Sequence, residues 1–402
     1  MKLRESVLFA TTAMSMTLLC SGAQAVTLPG ASEIEKYLIV GMRRSGIGEA
    51  VNIQNTEIGA DRQVLSDGSS VENSQGEAPP NTKDVFYQDG DRWKSTSNPD
   101  SAIAADIFEG IDNSGNVAIT SENGDFSMSN VDVFADPTIG IQCASGSDCG
   151  DSVENSNFYG SDPGVPTNGN RDGRVQNGDG VTGFDSTALL TELEDWKSFV
   201  ENLAPEFTIT GNIENENRKD ASGPEILDLT SKDLNNDGIA VIDIDRGDND
   251  FELNNSDWIL TGNGFTRAIF RILNGSNFNI SNSSILMGTD YGPVEDIFAI
   301  FVHSSEERDS SDAVFNANNT VLNGIGLWDL NTVGDRGNTE LVVNNGQGCA
   351  QFISSSVNFN DVRFNRCSTG LPTTTVIPLP AGLPLVATAF GLAWIVRRRA
   401  VS

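Results

Sequence analysis

The stretch Phe278-Asn279-Ile280-Ser281-Asn282-Ser283-Ser284-Ile285-Leu286-Met287 decides the fold of this chain. Apolar and polar residues alternate from Phe278 to Ser281, which is the two-residue period of a strand with one buried face. Asn282 and the two serines then interrupt the alternation, and both residue types favour turns. A second apolar run follows at once. The sequence therefore predicts two short strands joined by a tight polar turn.

Short apolar runs separated by Asn or Gly recur along most of the chain, which contains 40 glycines. Clear examples lie at 51–53, 117–119, 126–128, 131–133, 251–253, 258–260, 268–273, 298–302, 341–343, 357–359 and 362–364. If such strands wind into coils, each coil buries its inward residues against the next, and asparagines at the turns can stack and hydrogen-bond. We predict an all-β fold of the right-handed β-solenoid (β-helix) type. An antiparallel β-sandwich, also built from short strands, is the alternative.

One segment, 186–203, departs from the strand pattern and predicts a flanking α-helix. Its apolar residues recur at the spacing of one helix face. They are Leu189, Leu193, Trp196, Val200 and Leu203. Asp185 can cap the start, and Pro205 prevents extension.

The first residues have the pattern of a secretory signal peptide. Lys2 and Arg4 give a positive start, and a largely apolar run without charge follows. Ala23 and Ala25 form the small-x-small pattern that signal peptidase accepts. We predict cleavage after Ala25, with Val26 as the new N-terminus.

The C-terminus combines a Pro-rich motif, an uncharged apolar segment and a basic end. These parts are Ile377-Pro378-Leu379-Pro380-Ala381, then 383–396, then Arg397, Arg398 and Arg399. A helix over the apolar segment rises about 21 Å, and snorkelling arginines can help it to span the roughly 30 Å hydrocarbon core. We predict a single transmembrane helix with its arginines on the cytoplasmic side. A membrane anchor that is not processed is the alternative.

This tail resembles the PEP-CTERM group of sorting signals in its VPLPA variant, with Ile377 where valine is usual. The resemblance implies recognition by an exosortase-type membrane peptidase, cleavage near the motif, and transfer to the cell envelope or release. Such systems are typical of Gram-negative bacteria that build an extracellular matrix.

The body resembles choice-of-anchor A domain proteins, which are adhesin-like and carry interchangeable C-terminal anchors. The resemblance lies in the order of Tyr37-Leu38-Ile39-Val40-Gly41, the helix after Phe184-Asp185, Ile269-Phe270-Arg271-Ile272-Leu273-Asn274 and Ile285-Leu286-Met287-Gly288. The chain departs from that pattern near Gly59-Ala60-Asp61, where Gly-Gly-Asn is expected.

The predicted organisation has five parts. They are a signal peptide (1–25), a β-rich extracellular body (26–370), a Pro-rich sorting motif and linker (371–382), a transmembrane segment (383–396) and a basic cytoplasmic tail (397–402).

The net charge of −31 argues against nucleic acid as a partner, because both molecules would be negative. Divalent cations are suitable counter-ions. The motif Asp233-Leu234-Asn235-Asn236-Asp237-Gly238 matches the first half of a calcium loop. The candidate ligands are therefore Asp233, Asn235, Asp237 and Asp243, and the alternative is a simple hairpin turn. No other cofactor is predicted.

Four cysteines remain after Cys20 leaves with the signal peptide. An even number in an exported protein predicts disulfides. Of the three pairings available, we favour the local one, Cys143 with Cys149 and Cys349 with Cys367.

The chain contains one histidine, His303, which is predicted to lie at a strand end. Because Ser-His and Cys-His mechanisms need a histidine base, the sequence gives no sign of such catalysis. We predict a non-enzymatic structural or adhesive protein of the cell surface or matrix, which binds polysaccharide or matrix through an acidic face. The alternative is a carbohydrate-active enzyme, a hydrolase or lyase, that uses paired carboxylates. Its candidate residues are Asp243, Asp245, Asp248 and Asp250.

Overall fold

The computed structural model describes most of the predicted body. The described residues are 28–43, 49–59, 85–89, 92–96, 110–111, 114–121, 125–136, 138–144, 153–159, 167–168, 175–177, 185–214, 225–235, 237–247, 249–254, 257–261, 267–273, 277–287, 298–303, 314–322, 324–327 and 340–367. The predicted signal peptide, sorting motif, transmembrane segment and basic tail lie outside them. Within those ranges, no helix is both long and apolar enough to span a membrane.

The described residues contain one α-helix, α1 (Ser186–Glu201), and strands of 2 to 15 residues. The strands are β1 (Ile39–Gly41), β2 (Glu49–Ile58), β3 (Val85–Asp89), β4 (Arg92–Thr96), β5 (Gly110–Ile111), β6 (Val117–Ile119), β7 (Asp125–Phe134), β8 (Ile141–Cys143), β9 (Val153–Glu154), β10 (Asn157–Tyr159), β11 (Thr167–Asn168), β12 (Val175–Asn177), β13 (Phe207–Ile209), β14 (Ile213–Glu214), β15 (Glu225–Asp228), β16 (Ile239–Ile244), β17 (Phe251–Asn254), β18 (Asp257–Thr261), β19 (Arg267–Ile272), β20 (Phe278–Ser281), β21 (Ser284–Met287), β22 (Phe298–His303), β23 (Val314–Val321), β24 (Gly324–Leu327), β25 (Glu340–Ser354), β26 (Ser356–Asn360) and β27 (Arg363–Cys367). The predicted all-β architecture with one α-helix is confirmed for the described residues.

Most strands form three parallel stacks, because the chain visits each stack in turn and then repeats the circuit. The exceptions pair antiparallel: β3 with β4, β5 with β27 and β11 with β10. The first stack runs β13, β16, β19, β22, β24, the end of β25, β1, β6, β8, β12. The second runs β14, β17, β20, β23, the start of β25, β26, β2, β7, β9. The third includes β15, β18 and β21, with the later parts of the long strands, β27 and β10. This pairing differs from the antiparallel sandwich that was the alternative.

The core lies between the stacks and is filled by equivalent residues from successive coils. In the second stack, Phe251, Phe278 and Phe315 occupy the same register position. Their rings stack, with centroids 5.0 Å apart for Phe251 and Phe278 and 5.4 Å apart for Phe278 and Phe315. The alternation seen in the sequence therefore buries one aromatic column over several coils.

Strand β1 lies between β25 and β6 and not at an end of the first stack. Ile39 pairs with Phe352 on one side and with Val117 on the other. The segment before β1 is fixed by Gln351, whose buried amide nitrogen donates to the carbonyls of Ile34 at 2.6 Å and Tyr37 at 2.7 Å. The early and late parts of the body thus meet inside the stack.

Helix α1 covers the first stack through the predicted apolar face. Leu189, Leu193, Trp196 and Val200 are buried, and the Asp185 carboxylate caps the helix by accepting from the Ala188 amide at 3.0 Å. The helix ends two residues earlier than predicted. The Arg271 guanidinium on β19 donates to the carbonyls of Val200 at 3.3 Å and Leu203 at 2.9 Å, and so satisfies the end of the helix.

Candidate binding face

The corner between the second and third stacks has a left-handed backbone in coil after coil. The non-glycine residues with positive φ are Asn55, Asn130, Asn155, Asn282, Asn319, Asn345 and Asp361, with φ from 47° to 56°. Asparagine and aspartate tolerate this conformation better than other side chains with a Cβ atom. The need for one tight turn per coil explains why asparagine follows so many of the short apolar runs.

The corner asparagines hydrogen-bond to one another between coils. The Asn319 amide donates to Asn282 at 2.8 Å, and the Asn345 amide donates to Asn319 at 3.3 Å. Farther along, the Asn130 amide donates to Asn55 at 3.2 Å. The prediction that turn asparagines hydrogen-bond along the coil is confirmed at these positions.

Small hydroxyl residues directly after several corner asparagines complete the turn. Thr56, Ser156 and Ser283 are buried, and each donates to the carbonyl two residues earlier, at 2.6, 2.9 and 2.7 Å respectively. These bonds satisfy buried hydroxyls that would otherwise destabilise the fold.

Replacing Asn319 with alanine is expected to lower the free energy of unfolding by about 1 to 2 kcal/mol, because alanine is strained in this conformation and loses the bonds to both neighbours. Asn319→Gly removes the same amide without the strain, so its loss should be smaller. Urea denaturation of the two variants measures the difference. Equal losses would contradict the claim that the backbone conformation selects asparagine here.

The central part of the outward side of the second stack is uncharged and mostly polar, and we call it the amide face. It consists of Asn279, Ser281, Asn316, Asn318, Val342, Asn344, Asn358, Asn360, Asn52, Gln54, Ser127 and Ser129. None of these residues is charged, although 20% of the chain is. Acidic residues border it. Glu252 and Glu154 pair with its first and last strands, Asp361 lies at the adjacent corner, and Glu49, Asp125 and Glu340 lie at the start of its own strands. The outward side of this stack therefore combines an uncharged centre with an acidic border.

Strand geometry sets the spacing of the amide face. Neighbouring strands lie about 4.8 Å apart, and outward residues on one strand are about 6.6 Å apart. The face spans β20, β23, β25, β26, β2 and β7, which gives about 24 Å across the strands. Within the described part of the chain, the side chains of Asn316, Asn318 and Asn358 bond to no protein group. Their donors and acceptors face solvent.

The predicted calcium ligands have other roles. Asp233 accepts from the Gly238 amide at 2.9 Å, and Asn235 accepts from the Asp237 amide at 2.8 Å, as in simple turns. Asp243 pairs with Arg271 at 2.7 Å. Among the residues that the structure describes, no group of three or more His, Cys, Asp or Glu side chains could hold a metal ion.

The carboxylates considered for polysaccharide cleavage also support local structure. Asp243 is buried in its ion pair with Arg271. Asp245 accepts from the Gly247 amide at 2.9 Å, and Asp250 accepts from the Asn277 backbone amide at 3.1 Å. The fourth member, Asp248, lies outside the described residues. The three described carboxylates are thus used by an ion pair and by backbone amides.

Cys143 and Cys349 are both buried, and each of them forms a disulfide bond. Cys149 lies outside the described residues, and Cys367 is described only as the last residue of β27, so the local pairing stays a prediction. His303 is the last residue of β22, as predicted. The signal cleavage residues Ala23, Ala25 and Val26, the motif 377–381 and Arg397, Arg398 and Arg399 lie outside the described residues.

One ionisable pair lies near the segment that precedes β1. Burial raises the pKa of Glu35, Arg366 opposes that rise, and Glu192 adds to it. Burial lowers the pKa of Arg366, and Glu35 acts in the opposite direction. Glu192 itself accepts from the backbone amides of Glu33 at 2.8 Å and Ile34 at 3.0 Å. The bonds of Glu192 attach α1 to the segment before β1.

Comparisons with known proteins do not identify a family for this chain. No family model matches the chain, and no curated protein matches it. One solved structure to which the chain is similar is the Shewanella frigidimarina ice-binding protein_1 DUF3494 domain. It is 11% identical, with coverage of 86% of this chain and 99% of that chain, and the TM-score is 0.37. At that score the similarity carries no argument about this chain.

Proposed function

We propose that this chain is an exported structural or adhesive protein of the cell surface or extracellular matrix, anchored or processed through its C-terminal sorting signal. The amide face is the observation that supports this role best, because it offers an extended regular surface for contact. The ends of the sequence support export, with a signal peptide pattern at one end and the VPLPA-like tail at the other.

We propose that the body is a right-handed β-solenoid. Three parallel stacks, visited in turn by the chain, support that description. A solenoid suits a surface role because each coil adds one more row to the same exposed face.

The alternative, a carbohydrate-active enzyme, has less support. A glycosidase of the usual kind needs two carboxyl groups that flank the scissile bond. Asp243, Asp245 and Asp250 are instead used by an ion pair and by backbone amides.

The partners that we propose are signal peptidase, an exosortase-type peptidase and an extracellular polysaccharide or matrix.

Mass spectrometry of the protein from the envelope and medium of its own host tests the proposal. We expect an N-terminus at Val26 and a C-terminus near the motif 377–381, because both ends match cleavage signals. The double variant Pro378→Ala, Pro380→Ala should keep its tail, whereas Pro372→Ala, outside the motif, should be processed normally. Intact ends at Met1 and Ser402 in the unmodified protein would rule out the sorting account.

A further inference from the structure

We propose that the amide face binds a neutral, hydroxyl-rich polysaccharide. This inference rests on the proposed surface function and names its partner class. It replaces the acidic contact surface expected from composition with an uncharged one.

The charge distribution selects the class of partner. The whole chain carries a net charge of −31, so an anionic polymer or a second copy of the chain is repelled. A cationic partner would bind the carboxylates that border the face and would gain nothing from the twelve uncharged positions. A neutral partner that forms hydrogen bonds is the class for which an uncharged polar surface is suited.

The chemistry of the side chains agrees with hydroxyl groups as ligands. Each carboxamide has two donors and an acceptor, and each hydroxyl can both donate and accept. Sugar hydroxyls also donate and accept, so the two surfaces match without burying a charge. Asn316, Asn318 and Asn360 are exposed. Asn316 and Asn318 also have amides that are not used inside the described protein.

The regularity of the face favours a polymer over a single sugar. Asn318 pairs with Asn344 in register, and Asn344 pairs with Asn360, so amides repeat from strand to strand at one position. The neighbouring position repeats in the same way through Asn279, Asn316 and Asn358, with Val342 as the exception. Weak hydrogen bonds at many equivalent points add up only on a ligand that is itself extended and repetitive.

A binding assay with the full exported protein tests the inference. The probes are microcrystalline cellulose, chitin and insoluble starch as neutral polymers, with alginate gel as the anionic comparison. We expect binding to at least one neutral polymer and none to alginate. The variant Asn316→Lys, Asn358→Lys should weaken that binding by at least about tenfold, because an unpaired ammonium is costly to desolvate against a neutral ligand.

The matched control places two lysines on α1. Thr191 and Ser198 are exposed there, so Thr191→Lys, Ser198→Lys changes the net charge equally and should leave binding within about twofold of the unmodified protein. Melting temperatures show whether each variant is folded. Unchanged binding by a folded Asn316→Lys, Asn358→Lys variant, an equal loss in the control, binding to alginate, or no binding to any neutral polymer would each overturn the inference. The termini of the mature protein, measured by mass spectrometry, test the proposed function independently of this binding assay.

Discussion

Replacing Phe278 with alanine is expected to lower the free energy of unfolding by about 3 to 5 kcal/mol. Phe278 is fully buried and lies between Phe251 and Phe315, with ring centroids 5.0 and 5.4 Å away. The truncation leaves a cavity that both neighbouring rings border, and the rigid coils can close it only in part. Urea denaturation followed by circular dichroism measures the loss.

Phe278→Leu is the control for that variant. It keeps most of the apolar volume and removes the ring contacts, so it should lose clearly less than alanine does. A loss below about 1 kcal/mol for the alanine variant would show that this column is not part of the tightly packed core.

Replacing Arg271 with methionine is expected to destabilise the protein by about 3 to 5 kcal/mol. Arg271 and Asp243 are both buried, and the guanidinium also donates to the carbonyls of Val200 and Leu203. Without it, a buried carboxylate and two carbonyls at the end of α1 lose their partner. Chemical denaturation gives the size of the effect.

The double variant Asp243→Leu, Arg271→Met separates the charge from the packing. It removes both ions, so it should be more stable than Arg271→Met alone, although the helix end still lacks its donor. A double variant that is less stable than Arg271→Met would contradict the interpretation that the unpaired carboxylate causes most of the loss.

The sequence predicts local structure well because local structure depends on neighbouring residues. The 3.6-residue stripe predicts α1, including its Asp185 cap. It misses the end of the helix by two residues, and it cannot show that Arg271, 68 residues away in the chain, donates to the carbonyl of Leu203 there. The short apolar runs predict strands, and the asparagines after them predict the corner, because φ is a property of the turn itself.

Features that depend on register between distant strands could not be predicted. Composition counts charges without placing them, so it predicts an acidic face, whereas register aligns Asn279, Asn316 and Asn358 on one side of a stack. The calcium motif has the correct spacing, but the sequence cannot show that Asp243 faces Arg271 on the next strand. In the same way, no local sequence pattern predicts that β1 pairs with β25.

That position of β1 governs when the fold can be completed. Ile39 lies in register with Phe352, whose amide donates to the Leu38 carbonyl, so the opening strand of the body has no partner on that side until more than three hundred further residues have been synthesised. Until then the edges of β1 and β25 stay open, and neither half can reach its final stability. In the export that we propose, β1 can pair with β25 only after both strands have crossed the membrane.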